Sequence, residues 1–113
     1  MPDARNYVGM KILDPNGAEQ FGLGLQPDGG ISMGFDVRPG VGNPGNRERL
    51  NLGVTPTGQG WIRYLDNDTR ARLWVMLDAS NRPVAQYFDW PDDQRIVVRE
   101  VGFGGERTSE IAR

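Results

Sequence analysis

The acid–base and nucleophilic side chains of this 113-residue chain are aspartates, glutamates, tyrosines, serines, threonines and a single lysine, Lys11; histidine and cysteine are both absent. That removes the commonest general base, the commonest metal ligand, the Ser-His-Asp arrangement and every thiolate-based site. No spacing couples a nucleophile to a base, so no residue is assigned a catalytic role. An enzyme of cyclase or isomerase type would instead need one polar group, such as Tyr64, Tyr87 or Glu100, inside an apolar cavity. Lys11 and Arg63 fall on the same strand register as Glu100, and an Arg63–Glu100 or Lys11–Glu100 pair is the candidate inward polar group.

Two short motifs carry less. Residues 40–45, GVGNPG, match the glycine spacing of a dinucleotide loop, but a strand-like run follows where that motif needs a helix. The loop 37–46 could at most form a small anion-binding nest from glycine amides, Arg38 and Arg47. The turn DNDT at 66–69 lacks the later Gly and Glu of a calcium loop. No cofactor and no metal are expected.

Formal net charge is −2, which argues against a nucleic-acid partner, since phosphate binding needs a concentrated positive field. No window approaches the ~18 apolar residues of a membrane span, and the first ten residues lack the apolar centre of a secretory leader. A cytoplasmic protein with no membrane partner is the expectation.

The scaffold is written as a repeat. Asp14, Asn43, Asp66 and Asp89 each precede, by six residues, Gln20, Arg49, Arg72 and Arg95, and then by seven an apolar residue: Phe21, Leu50, Leu73 and Ile96. Apolar residues continue at every second place, as at Leu23, Leu52, Val75 and Val98, the period of a strand with one buried face. QPDGG, TPTGQG and DASNRP supply turns, and the recurring Asp or Asn reads as a turn residue accepting N–H bonds two residues on. With 16 glycines and 8 prolines, the chain favours strands joined by many turns. Strands are expected at about 6–13, 18–26, 30–36, 47–55, 59–65, 70–78, 82–88 and 94–101.

The fold expected is one all-β domain over 1–113: an eight-stranded antiparallel meander of four ~23-residue hairpin repeats with a core at 6–101 and a loose tail at 102–113. The chain opens on a second half-unit and ends on a first, so strands 6–13 and 94–101 should pair and close an up-and-down barrel. Its lining would be Phe21, Leu23, Leu25, Met33, Phe35, Leu50, Leu52, Val54, Trp61, Leu65, Leu73, Val75, Leu77, Phe88, Ile96 and Val98. The alternative is a β-sandwich or a twisted sheet completed by an oligomer. Met10, Ile12, Ile62, Tyr64, Ala85, Tyr87, Trp74 and Met76 give the opposite register an apolar face that needs a cover. Hence the functional reading is a non-catalytic structural or protein-binding module that forms a homo-oligomer. Trp61, Tyr64, Trp74, Tyr87, Arg63 and Glu100 are its candidate interface or ligand residues. A barrel binding a small apolar ligand, or an enzyme acting on one, is the alternative.

Overall fold

The computed structural model describes residues 8–42, 45 and 47–112. Nine strands occur in chain order: β1 (Val8–Leu13), β2 (Glu19–Leu25), β3 (Ile31–Asp36), β4 (Glu48–Val54), β5 (Gly60–Leu65), β6 (Ala71–Leu77), β7 (Pro83–Asp92), β8 (Arg95–Gly102) and β9 (Gly105–Ala112). Each pairs antiparallel with its chain neighbours, and the spatial order runs from β1 to β9 without a crossover. The fold is the all-β meander that the repeat predicts.

The ninth strand is the departure. Residues expected as a loose tail form β9, which pairs with β8 from Gly102↔Gly105 to Arg95↔Ala112. It occupies the edge of β8 that closure reserved for β1. The sheet is therefore open, with β1 and β9 as its edges, and the β1–β8 pairing does not form. The physical reason is loop closure. A turn through Phe103 and Gly104, completed by Gly105 at φ 113°, brings β9 to β8 at far lower entropic cost than a contact spanning most of the chain.

The turns explain the repeat. At Asp14–Ala18, Gln26–Gly30, Thr55–Gln59, Asp66–Arg70 and Asp78–Arg82 the first residue's N–H donates to the fifth residue's carbonyl, and the fourth's N–H to the first's carbonyl, all at 2.7–3.0 Å. The fourth residue is left-handed: Gly17, Gly29 and Gly58, and also Thr69 (φ 59°) and Asn81 (φ 61°). This is the three-residue hairpin loop ending in a left-handed residue. The recurring aspartate fixes it from inside. Asp66 Oδ1 accepts the N–H groups of Asp68 (2.8 Å) and Arg70 (3.0 Å), and Asp14 and Asp78 repeat the pattern. The arginine six residues on has its reason here too, since Arg72 Nε donates to Asp66 Oδ2 at 2.8 Å. Between β3 and β4 the described residues 37–42 and 45 hold no helix or strand. Val37 N–H bonds the Arg47 carbonyl at 2.7 Å. Asn43, the second repeat mark, and Pro44, both within the GVGNPG sequence, lie outside the described residues.

The sheet is a single layer. Its radius of gyration is 16.2 Å, whereas a compact chain of this length would have about 13 Å. Apart from Gly24 and Gly30, only Val98 and Asn51 fall in the buried class among the described residues. A sheet with this composition and no second layer leaves an apolar face uncovered, and the registers identify which.

Candidate functional site

Directly opposed residues share a face, so the pairings trace rows across the whole sheet. One face carries the row Ile12–Phe21–Phe35–Leu50–Tyr64–Leu73–Tyr87–Arg99 and the row Met10–Leu23–Met33–Leu52–Ile62–Val75–Ala85–Val101. Beside them run Leu25, Ile31 and Val54. From β1 to β7 these rows hold no charge. Phe21 and Phe35 pack ring against ring, with centroids 5.1 Å apart. This apolar face is also the exposed one. Of the thirteen exposed large apolar residues among the described residues, ten lie on it: Met10, Ile12, Leu25, Ile31, Phe35, Val54, Ile62, Tyr64, Tyr87 and Val101, at 37–56% exposure.

On the other face, the polar groups at its middle, Asn51, Arg63, Gln86 and Glu100, are better covered than the exposed apolar residues behind them, while Lys11 and Arg107 at its ends are exposed. Its central row is Lys11–Gly22–Gly34–Asn51–Arg63–Trp74–Gln86–Glu100–Arg107. Arg63 lies 5.8 Å from the Trp61 ring centroid and 5.7 Å from that of Trp74, held between two indoles whose faces attract a cation. Its Nε donates to Asn51 Oδ1 at 2.9 Å, and Asn51 is only 5% exposed. Trp61 reaches across Gly53, where a Cβ would collide with the Ile31 carbonyl and meet the Trp61 ring at 3.0 Å. Glycine is thus what lets the indole lie flat on the sheet. The Trp74 Nε1 is enclosed without an acceptor.

Beside this cluster, the glycines of β2 and β3 leave an open groove of about 460 Å3, with Lys11, Glu19, Glu48, Asn51, Trp61 and Arg63 among its walls. Two of its charges pair with each other. Lys11 Nζ is 3.2 Å from Glu19, and the Glu48 carboxylate lies over Gly34. Near Glu19, one of its walls, burial and then Glu19 itself push the Asp36 carboxyl above the usual aspartate range. Among the described residues no group of three acidic side chains is arranged to hold a metal ion. Of the suggested anion nest, part lies outside the described residues; Arg47 donates to the carbonyls of Val37 (3.1 Å) and Glu19 (2.6 Å).

The six residues singled out by sequence are therefore divided. Tyr64 and Tyr87 stand on the exposed apolar face, both 49% exposed and flanking Leu73. Trp61, Arg63, Trp74 and Glu100 lie on the opposite face, where the first three form one cluster. Neither expected pair with Glu100 forms. Glu100 accepts from Gln86 Nε2 (2.9 Å) and Arg107 Nη2 (3.1 Å), while Arg63 turns to Asn51 and Lys11 to Glu19. The expected barrel lining is also divided, since Trp61, Phe88, Ile96 and Val98 face away from Leu52 and Val75. Sequence reasoning missed Asn51, Gly53 and Trp90, whose Nε1 donates to the Ala71 carbonyl at 2.9 Å. Asn51 had a signal: it interrupts LNL at the position a one-sided strand reserves for polar residues.

Among the described residues no helix is long and apolar enough to cross a membrane. Compared with known proteins, the sequence matches no family model and no curated protein.

Proposed function

We propose that the protein is a non-catalytic structural module that self-associates by packing its apolar sheet face against that of a second copy, completing a β-sandwich. The observation that carries this reading is the concentration of exposed apolar side chains on one face. At about 200 Å2 per large side chain, ten of them between 37% and 56% exposed present on the order of 900 Å2. The largest apolar patch on an ordinary monomer is about 300–600 Å2, while a stable interface needs about 800 Å2 per partner. From β1 to β7 its rows carry no charge, so a like copy meets no repulsion there, and two sheets packed face to face make a familiar core. Tyr64 and Tyr87 bury ring area while keeping hydroxyls for the rim. The groove on the other face, walled by Lys11, Glu19, Glu48 and Arg63, suits an apolar small molecule poorly.

Solution mass tests the reading. Light scattering should give at least twice the 12.6 kDa chain. Ile62→Glu, at the centre of the face between Leu52 and Val75, should halve the mass by placing a charge in the buried contact. A wild-type monomer at tens of micromolar overturns the proposal.

A further inference from the structure

The two open edges of the sheet are built differently. β9 reads GERTSEIA, and its charges are paired back onto β8. Glu106 pairs with Arg99, Arg107 with Glu100 and Glu110 with Arg95. Such a charged rim is how native edges are kept from recruiting another strand. β1 reads VGMKIL and has no such guard. Its one charge, Lys11, is drawn to Glu19 on its own sheet, and Met10, Ile12 and Leu13 are 56%, 54% and 55% exposed. Three exposed large apolar residues thus lie on a strand whose outer row of backbone donors and acceptors has no partner among the described residues.

We infer that β1 is a second, separate interface, pairing antiparallel with β1 of another copy about a two-fold axis through Met10. An antiparallel pair has its two-fold perpendicular to the sheet, so both copies would present the apolar face on the same side. Keeping that face continuous requires the two residue numbers of each opposed pair to sum to an even value, because a slip of one flips every side chain. Centred on Lys11, the pairing sets two ammonium groups opposite each other, which is destabilising. Centred on Gly9, it sets two glycines on the axis, which have no side chains to make a cross-strand contact. The Met10-centred register sets Gly9 against the second copy's Lys11 and carries the rows that begin at Met10 and Ile12 across the axis. The contact uses the edge and not the face, so it stands or falls independently of face packing.

The chain has no cysteine, which makes single-cysteine trapping clean. Directly opposed residues have Cα atoms about 4.5–5.5 Å apart, within disulfide range. Met10→Cys should form a disulfide-linked dimer under mild oxidation. Ile12→Cys, about 13 Å from its own symmetry mate at four residues' offset, should do so at least about tenfold more slowly. The crosslink should persist when Ile62→Glu is added, while face packing is lost. Circular dichroism of each variant confirms folding, and both sites are exposed enough to tolerate the change. Equal or faster crosslinking by Ile12→Cys, no crosslink by Met10→Cys, or a crosslink abolished by Ile62→Glu each overturns the inference.

Discussion

Asp66 is the most heavily bonded carboxylate in the repeat, and replacing it by asparagine separates the turn from its charge. Oδ1 accepts two backbone N–H bonds, at 2.8 and 3.0 Å, while Oδ2 receives Arg70 Nε at 3.2 Å and Arg72 Nε at 2.8 Å. An asparagine side chain in its place could keep the first two bonds but would turn an amide or a neutral oxygen toward two guanidinium groups. Burial by itself would raise the Asp66 pKa. The backbone donors and Arg72 more than offset it and hold the group at about 2, against 3.8 for an unperturbed aspartate. A folded pKa below the unfolded one means stability that is fully present above about pH 4 and is lost as pH falls through 2. The difference converts to about 2 kcal/mol, and partial solvent screening lowers the expected contribution to about 1–2 kcal/mol. Urea unfolding monitored by tryptophan fluorescence, at one fixed protein concentration because association adds mass action, should show Asp66→Asn destabilised by that amount at pH 7. At pH 2 only about a sixth of the gap should remain, half of it having gone by about pH 3. A gap of equal size at both values would refute the charge-based account and leave only turn geometry.

Three further outcomes follow from the packing. Gly53→Ala should destabilise the fold by about 1–3 kcal/mol despite alanine's smaller entropic cost, because its methyl meets the Ile31 carbonyl and the Trp61 ring and overpacking strains the sheet; unchanged thermal unfolding would contradict this. Asn51→Ala should cost about 1–3 kcal/mol in the same unfolding assay by removing the acceptor of Arg63 Nε from a covered position. Val98→Ala, at 7% exposure, should cost about 1–2.5 kcal/mol, whereas Val101→Ala, at 37%, should cost less than half as much in a dissociated background such as Ile62→Glu.

The strands and turns were legible because their signals are local. Period-two apolar residues and Asp-initiated loops lie within a few residues of what they specify. The faces were harder to read, for an identifiable reason. Alternation in β1 and β5 is naturally counted from Leu13 and Leu65, the last apolar residues before each turn. Register shifts fall immediately before both, at Ile12/Leu13 and Tyr64/Leu65, so that count places Lys11, Trp61 and Arg63 on the wrong face. In β3 the shift lies beyond Phe35, and Phe35 and Met33 are placed correctly. Unit four fails differently. β7 runs on to Asp92, the register shifts between Asp89 and Asp92, and Asp92 caps the turn through Gln94 N–H at 2.8 Å. Counting from Asp89 therefore sets Val98 level with Leu23, Leu52 and Val75, although it faces the other way. Closure was misjudged because GERTSEIA shows no apolar alternation; its strand is specified by the two-residue turn before it and by cross-strand ion pairs, which no pattern of hydrophobicity records.

The two proposed interfaces also constrain each other. A two-fold relating face-packed copies must lie in the plane between the sheets. If it ran along the strands through the middle of the face, it would miss the edge axis at Met10, and alternating the two operations would generate an open filament. If it runs across the strands, along the row Met10–Leu23–Met33–Leu52–Ile62–Val75, it meets the edge axis at Met10 and the set closes with 222 symmetry. That row is the better axis physically. It is free of charge through Val101, and each residue would lie near its own copy, apolar on apolar. The neighbouring row ends on Arg99, which is paired with Glu106 and would sit at the rim. The expected assembly is therefore a closed tetramer of about 50 kDa, four times the 12.6 kDa chain. Ile62→Glu should reduce it to a dimer of about 25 kDa, twice the 12.6 kDa chain, that Met10→Cys still crosslinks. Mass that climbs with concentration without a plateau would place the face axis along the strands and refute the closed arrangement.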